Sequence, residues 1–292
     1  MLSSAVSQLV AAYASVKPIT YLGVLGLALA FGCAVVAALH GMTIAPEGDL
    51  TKAISFDAAV GIYLLTIALF VPLAGFTPAG RRKWLGWTTG VIIYAFGVET
   101  IQILRGLDPR FSRVAGPADQ LAGILFFVAA LGVIVLFAIL AMKLLRRKAE
   151  GAEGLLLLGI RYAAAATAIA FAAGLWMSAM QGRKFGAQGN ILPLHALGFH
   201  ALQATPLVAW LLGRSGLASE VARKWIHIAG VAWIAACIMV AGQTAIGRPV
   251  TEPSPAIVLA AAALLVWTVT FLRAARACGA GNPARSRLSA GI

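Results

Sequence analysis

Apolar runs of about 20 residues alternate along this chain with short, turn-rich segments, and about 20 is the length a helix needs to cross a bilayer. Eight runs qualify, at 19–40, 57–77, 84–105, 118–143, 155–180, 192–213, 224–246 and 255–275. Between them lie segments such as Pro46-Glu47-Gly48-Asp49 and Gly213-Arg214-Ser215-Gly216. None of the runs alternates apolar and polar with period two, so helices rather than barrel strands are expected. Residues 5–16 read as a shorter helix lying on the membrane surface. No positive charge precedes Lys17, and the first apolar run is longer than the core of a secretory signal, so a cleavable signal is not expected.

The pattern repeats. Arg82-Lys83-Trp84 recurs as Arg223-Lys224-Trp225, and the same offset carries Gln102 to Gln243, Gly106 to Gly247, Gly41 to Gly182 and Tyr21 to Tyr162. Matches at equivalent helix ends point to a duplication, as in many multi-pass proteins. The expected fold class is therefore an all-α membrane protein of about eight transmembrane helices in two tandem parallel four-helix repeats. The expected divisions are an N-terminal interfacial segment at 1–18, repeats at 19–148 and 149–276, and a cytoplasmic tail at 277–292.

Composition agrees with lipid as the solvent: of 292 residues, 61% are hydrophobic and 11% charged, against about 25% charged in soluble domains. The net charge of +13 would suit nucleic acid, but the bases form short clusters between apolar runs and no stripe interleaved with aromatics, so no nucleic-acid partner is expected. The clusters instead read as topology signals. With the N-terminus inside, fifteen Lys and Arg fall on inner segments and seven on outer ones. Arg285 and Arg287 belong to the inner set, and Arg161 snorkels from the inner end of the fifth run. A bacterial inner membrane with both termini cytoplasmic is the resulting expectation. Cys33, Cys237 and Cys278 are too dispersed for a zinc or thioredoxin-type motif.

Ionisable groups inside a membrane are costly, so they are the first candidates for function. In this topology they gather on the outer side: His40; Glu99, Gln102 and Arg105; Gln181; His195, His200 and Gln203; and Gln243. Glu99 lies about 9 Å inside the end of its helix at 1.5 Å per residue, with Gln102 and Gly106 following on the same face. Glu99 and Arg105 are the candidate catalytic pair, and their plain alternative is an ion pair anchoring the third helix. His195 and His200 are turned about 140° apart, so they do not match an i, i+4 zinc pair. They could each hold a separate ligand, together with His40, as cofactor-binding residues, and Gln102, Gln181, Gln203 and Gln243 are candidate ligand contacts. His227 follows the Arg223-Lys224-Trp225 cluster and reads as interfacial.

Three stretches carry a resemblance: Glu99-Thr-Ile-Gln102-Ile-Leu-Arg105-Gly106, the Gln181-Gly182 pair with the run from His195 to Pro206, and Gln243-Thr-Ala-Ile-Gly247-Arg-Pro249. Together they are similar to a family of uncharacterised bacterial multi-pass inner-membrane proteins. Where those relatives carry His-Phe-Asn after the Arg-Gly, this chain has Arg110-Phe111-Ser112, so a metal role for that histidine does not carry over. The two four-helix halves also resemble haem A synthase in architecture, although His195 and His200 have no histidine counterparts in the second run. Three functions follow as expectations. The first is redox chemistry with haem b or a metal ion held by the histidines. The second is a carrier or binding protein for a small molecule or lipid. The third is an accessory subunit of a membrane complex.

Overall fold

The computed structural model describes residues 2–280, with side chains from residue 6 onward; the tail at 281–292, with Arg285 and Arg287, lies outside the described residues. The described chain is almost wholly helical, and it divides into two compact units after Lys143.

The first unit begins with α1 (Leu2–Ser15), which covers the run expected as a surface helix. α2 (Lys17–His40) follows directly, with Pro18 in its first turn, where a missing N–H costs nothing. A two-residue hairpin, β1 (Thr43–Ile44) with β2 (Gly48–Asp49), reverses the chain. α3 (Leu50–Phe70) starts seven residues before the expected run because Asp49 caps it, accepting the Thr51 N–H at 3.0 Å. It ends in a 3₁₀ turn at Val71–Ala74, where Pro72 cannot continue the α pattern. α4 (Pro78–Leu104) is capped by Thr77, and α5 (Pro117–Arg146) carries the chain across the division between the units. α2 and α3 approach closely through small residues. A Cβ on Gly26 would stand 2.7 Å from the Asp57 carbonyl oxygen and 2.6 Å from the Phe96 ring, which is how membrane helices gain packing that lipid cannot supply.

The second unit contains α6 (Gly151–Ala179), a hairpin of β3 (Lys184–Phe185) with β4 (Gly189–Asn190), and the helices α7 (Leu192–Leu212), α8 (Ser219–Ala245) and α9 (Pro255–Ala280). Its core is built on small residues and aromatics, with Trp233 donating to the Leu197 carbonyl at 3.0 Å and packed edge-on against Trp267.

Among the described residues, seven helical segments are long and apolar enough to cross a membrane: Lys17–His40, Leu50–Ala74, Pro78–Leu104, Pro117–Arg146, Gly151–Ala179, Ser219–Ala245 and Pro255–Ala280. The protein is thus a multi-pass helical membrane protein. The count is seven where eight was expected. Leu192–Leu212 forms a continuous 21-residue helix, but His195, His200, Gln203 and two prolines dilute its hydropathy.

The 141-residue offset reaches into backbone detail. The pairs Thr43↔Asp49 and Ile44↔Gly48 correspond to Lys184↔Asn190 and Phe185↔Gly189. The Glu47 N–H bonds the Gly106 carbonyl at 2.8 Å, and the Gln188 N–H bonds that of Gly247 at 3.0 Å. Both glycines have positive φ, +79° and +72°. Gly41 and Gly182 break the pattern: Gly41 has φ +90°, whereas in the second unit the left-handed residue is Gln181, at +49°.

Candidate functional site

The polar residues of the first unit converge where the start of α3 meets the end of α4. Asp57, two turns into α3, is fully buried; its Oδ2 accepts the Thr100 hydroxyl at 3.0 Å, and its Oδ1 has no hydrogen-bond partner. Glu99, beside Thr100 on α4, is also fully buried, and its carboxylate pairs with the guanidinium of Arg110. Arg110 arrives from the segment after α4 and lies over the rings of Phe56 and Phe126, 5.2 and 5.4 Å from their centroids. For a partly exposed cation such contacts are favoured by about 1 kcal/mol, so the rings add to the acid in positioning the arginine.

Further pairs hold that segment in place. Lys52 donates to Asp108 at 2.6 Å, and the other Asp108 oxygen accepts the N–H groups of Arg110 and Phe111 at 2.9 and 3.0 Å. Glu47, from the hairpin turn, accepts the Ser112 hydroxyl and the Arg113 N–H.

Two sequence expectations are corrected here. Arg105 is not the partner of Glu99: it forks onto Asp119, with Nη1 at 2.6 Å and Nη2 at 3.2 Å, and its Nη1 also donates to Gln102 at 3.1 Å. Gln102 donates to the same Asp119 carboxylate at 2.9 Å, so Gln102, Arg105 and Asp119 form a separate cluster. Gly106 does not continue the Glu99–Gln102 stripe, because α4 ends at Leu104 and the chain turns left-handed at Gly106.

The remaining candidates are placed as follows. His40 is the exposed last residue of α2. In the second unit, the His195 Nδ1 lies 2.8 Å from the Ala170 carbonyl, and its ring packs against Phe199. His200 is exposed and Gln203 half-buried on α7, while Gln181 is exposed after α6. Gln243 is fully buried and satisfied locally: its Nε2 donates to the Pro249 and Glu252 carbonyls, and its Oε1 accepts from Ser254 at 2.8 Å. His227 bonds the Tyr162 hydroxyl at 2.8 Å. Among the described residues, no group of three or more His, Cys, Asp or Glu is placed to hold a metal ion.

Comparison with family models, curated proteins and solved structures finds no match to this chain.

Asp57, Lys52, Asp108 and Glu47 are the members that sequence reasoning passed over, and Arg110 entered it only as a departure from a motif. One signal was available. At the 141-residue offset, Asp57 and Glu99 become Gly198 and Val240, while Lys52, Asp108 and Arg110 become Pro193, Pro249 and Thr251. These charges of the first unit thus have no charged counterpart at that offset.

Acid should release the segment that carries Arg110. Burial pushes the Asp108 carboxyl up, but the Lys52 ammonium and the Arg110 and Phe111 N–H groups outweigh it and hold Asp108 below the usual carboxylate range. The Ser112 hydroxyl and the Arg113 N–H hold Glu47 down in the same way. A depressed folded value means that the stabilisation is complete above the unfolded value, about pH 4, and is lost as the pH falls through the folded one. Amide exchange at Arg110 and Phe111 should therefore stay slow down to about pH 4 and accelerate below it, with Lys52→Met moving the onset to higher pH. Identical profiles for the two proteins would rule out this role for Lys52.

Proposed function

We propose that this protein is a carrier or binding protein of a bacterial inner membrane, with Asp57, Glu99 and Arg110 as its proton- or cation-accepting centre. In this reading α7 is an eighth span, the two units are tandem repeats of four spans each, and both termini are cytoplasmic. One observation carries the function: two fully buried carboxyl groups stand on facing helices, a single guanidinium pairs with Glu99, and one Asp57 oxygen has no partner. With both acids ionised, these three groups sum to one negative charge. An uncompensated buried charge costs several kcal/mol, so the site favours one further positive charge, whether a proton or a bound cation. Lys52 lies nearby but is committed to Asp108. Arg110 is the group able to exchange partners, since its side chain is about one-third exposed, at 32%, while Glu99 is sealed.

The test is a count of protons. Between about pH 5 and pH 9 an ordinary surface carboxylate is already ionised, so removing one changes nothing in that range. The solubilised wild type should take up about one proton more across that range than Asp57→Asn or Glu99→Gln. If added Na⁺ or K⁺ suppresses the extra uptake, a metal cation competes for the site. Equal uptake by all three proteins overturns the reading.

A redox function is favoured by one feature, on His195. A carbonyl can only accept, so Nδ1 of the neutral ring donates to Ala170 and the imidazole is held in one orientation, as outer hydrogen bonds hold metal-binding histidines. An absorption spectrum and metal analysis of the same preparation separate the two. A haem band or stoichiometric metal that His195→Ala removes would favour redox chemistry.

A further inference from the structure

A cavity of about 330 Å³ opens in the second unit at the beginning of α6. Lys148, Glu150, Arg161 and Arg223 supply its charged lining, and Leu157 and Leu158 its apolar part. Three cations thus face one acid. Arg161 bridges the cavity's edge, its Nη2 donating to the Arg147 carbonyl at 2.6 Å, while its Nε is buried without an acceptor. Glu150 is the N-cap of α6, but its side chain makes no capping bond; the acid in the first turn of α6 is Glu153, which pairs with Arg147 outside the cavity lining.

Arg223 stands in the first turns of α8, so the site brackets the N-terminal ends of two candidate spans. α6 and α8 have 29 and 27 residues, more than the roughly 20 that hydrocarbon requires. Their first turns therefore reach the headgroup layer. Basic pockets between helices at that depth suit phosphorylated headgroups.

We propose that this cavity binds a phosphate group, with Arg161, Arg223 and Lys148 as its cationic contacts. An anionic phospholipid would place its phosphate there and its glycerol and acyl carbons along Leu157 and Leu158; free phosphate would use the cations alone. The site lies in the other unit from Asp57 and Glu99 and does not depend on the function proposed for them.

Native mass spectrometry of the solubilised full chain can read this directly, with phosphatidylglycerol and phosphatidylcholine as probes. Phosphatidylglycerol should be retained at least about tenfold more tightly than the zwitterionic lipid. The double variant Lys148→Gln/Arg223→Gln should lose about thirtyfold of that affinity, taking each surface cation at its usual worth. Neither change touches the Arg161–Arg147 contact, and a melting curve confirms folding. Arg183→Gln, beyond the other end of α6, should leave retention unchanged. Displacement of the lipid by inorganic phosphate alone would assign free phosphate as the occupant, and resistance to it would assign the lipid. Equal retention of both lipids, undiminished binding by the double variant, or an equal loss in Arg183→Gln would overturn the proposal.

Discussion

Arg110→Gln should destabilise the first unit by about 3–5 kcal/mol, the usual consequence of stranding one member of a buried ion pair. The acid left behind is fully buried, and the Phe56 and Phe126 rings lose the cation that lies over both. Glu99→Gln alone should cost less, because Arg110 is partly exposed and can turn to solvent. The double variant should therefore be more stable than Arg110→Gln by about 1–3 kcal/mol, a coupling typical of contacting residues. Thermal or denaturant unfolding in detergent, carried through the full cycle, measures this. Strictly additive losses would mean that Glu99 and Arg110 do not act as a pair.

Gly106→Ala should cost about 2–4 kcal/mol, from left-handed strain of about 1–2 kcal/mol and from overpacking of similar size. The residue sits at φ +79°, and a Cβ there would lie 1.9 Å from the Ala45 carbonyl oxygen. That atom is backbone and has little freedom to yield. The equivalent change, Gly247→Ala, separates the two causes. Its φ is +72°, but the nearest atoms, the Ala187 nitrogen and the Gly186 Cα, stand 3.2 Å away. It should cost about 1–2 kcal/mol, mostly the strain, with a smaller contribution from crowding. Equal losses at the two positions, read from melting curves, would show that the close approach to Ala45 is not felt. Since the Gly106 carbonyl receives the Glu47 N–H, Gly106→Ala should also loosen the segment that delivers Arg110.

The sequence by itself determined that the chain is helical, multi-pass and lipid-embedded, because hydrophobic run length is a local property that the bilayer reads directly. It also located the helix starts that a proline marks at Pro117 and Pro255, where the expected runs begin at 118 and 255, but placed the start of α4 six residues late, at 84 and not at Pro78. It went wrong at α3, whose start depends on a capping bond from Asp49 and not on hydropathy. Glu99 was legible as a candidate because a lone acid in an apolar run stands out in one dimension. Its partner was not. Along a helix, Arg105 is the nearest cation, but Leu104 ends α4 and Gly106 turns the chain, so Arg105 meets Asp119 while Arg110 folds back onto Glu99. Asp57 escaped notice because it sits at the edge of an apolar run, and only the packing of α3 against α4 puts it beside Thr100. The histidines were grouped by a shared side of the membrane; tertiary packing gave His195 a carbonyl partner and left His40 and His200 exposed. Which ionisable groups share a buried space is set by how helices pack and how a loop returns. Both join residues far apart in the chain, as Asp57 with Thr100 and Glu47 with Arg113, through interactions that no local pattern encodes.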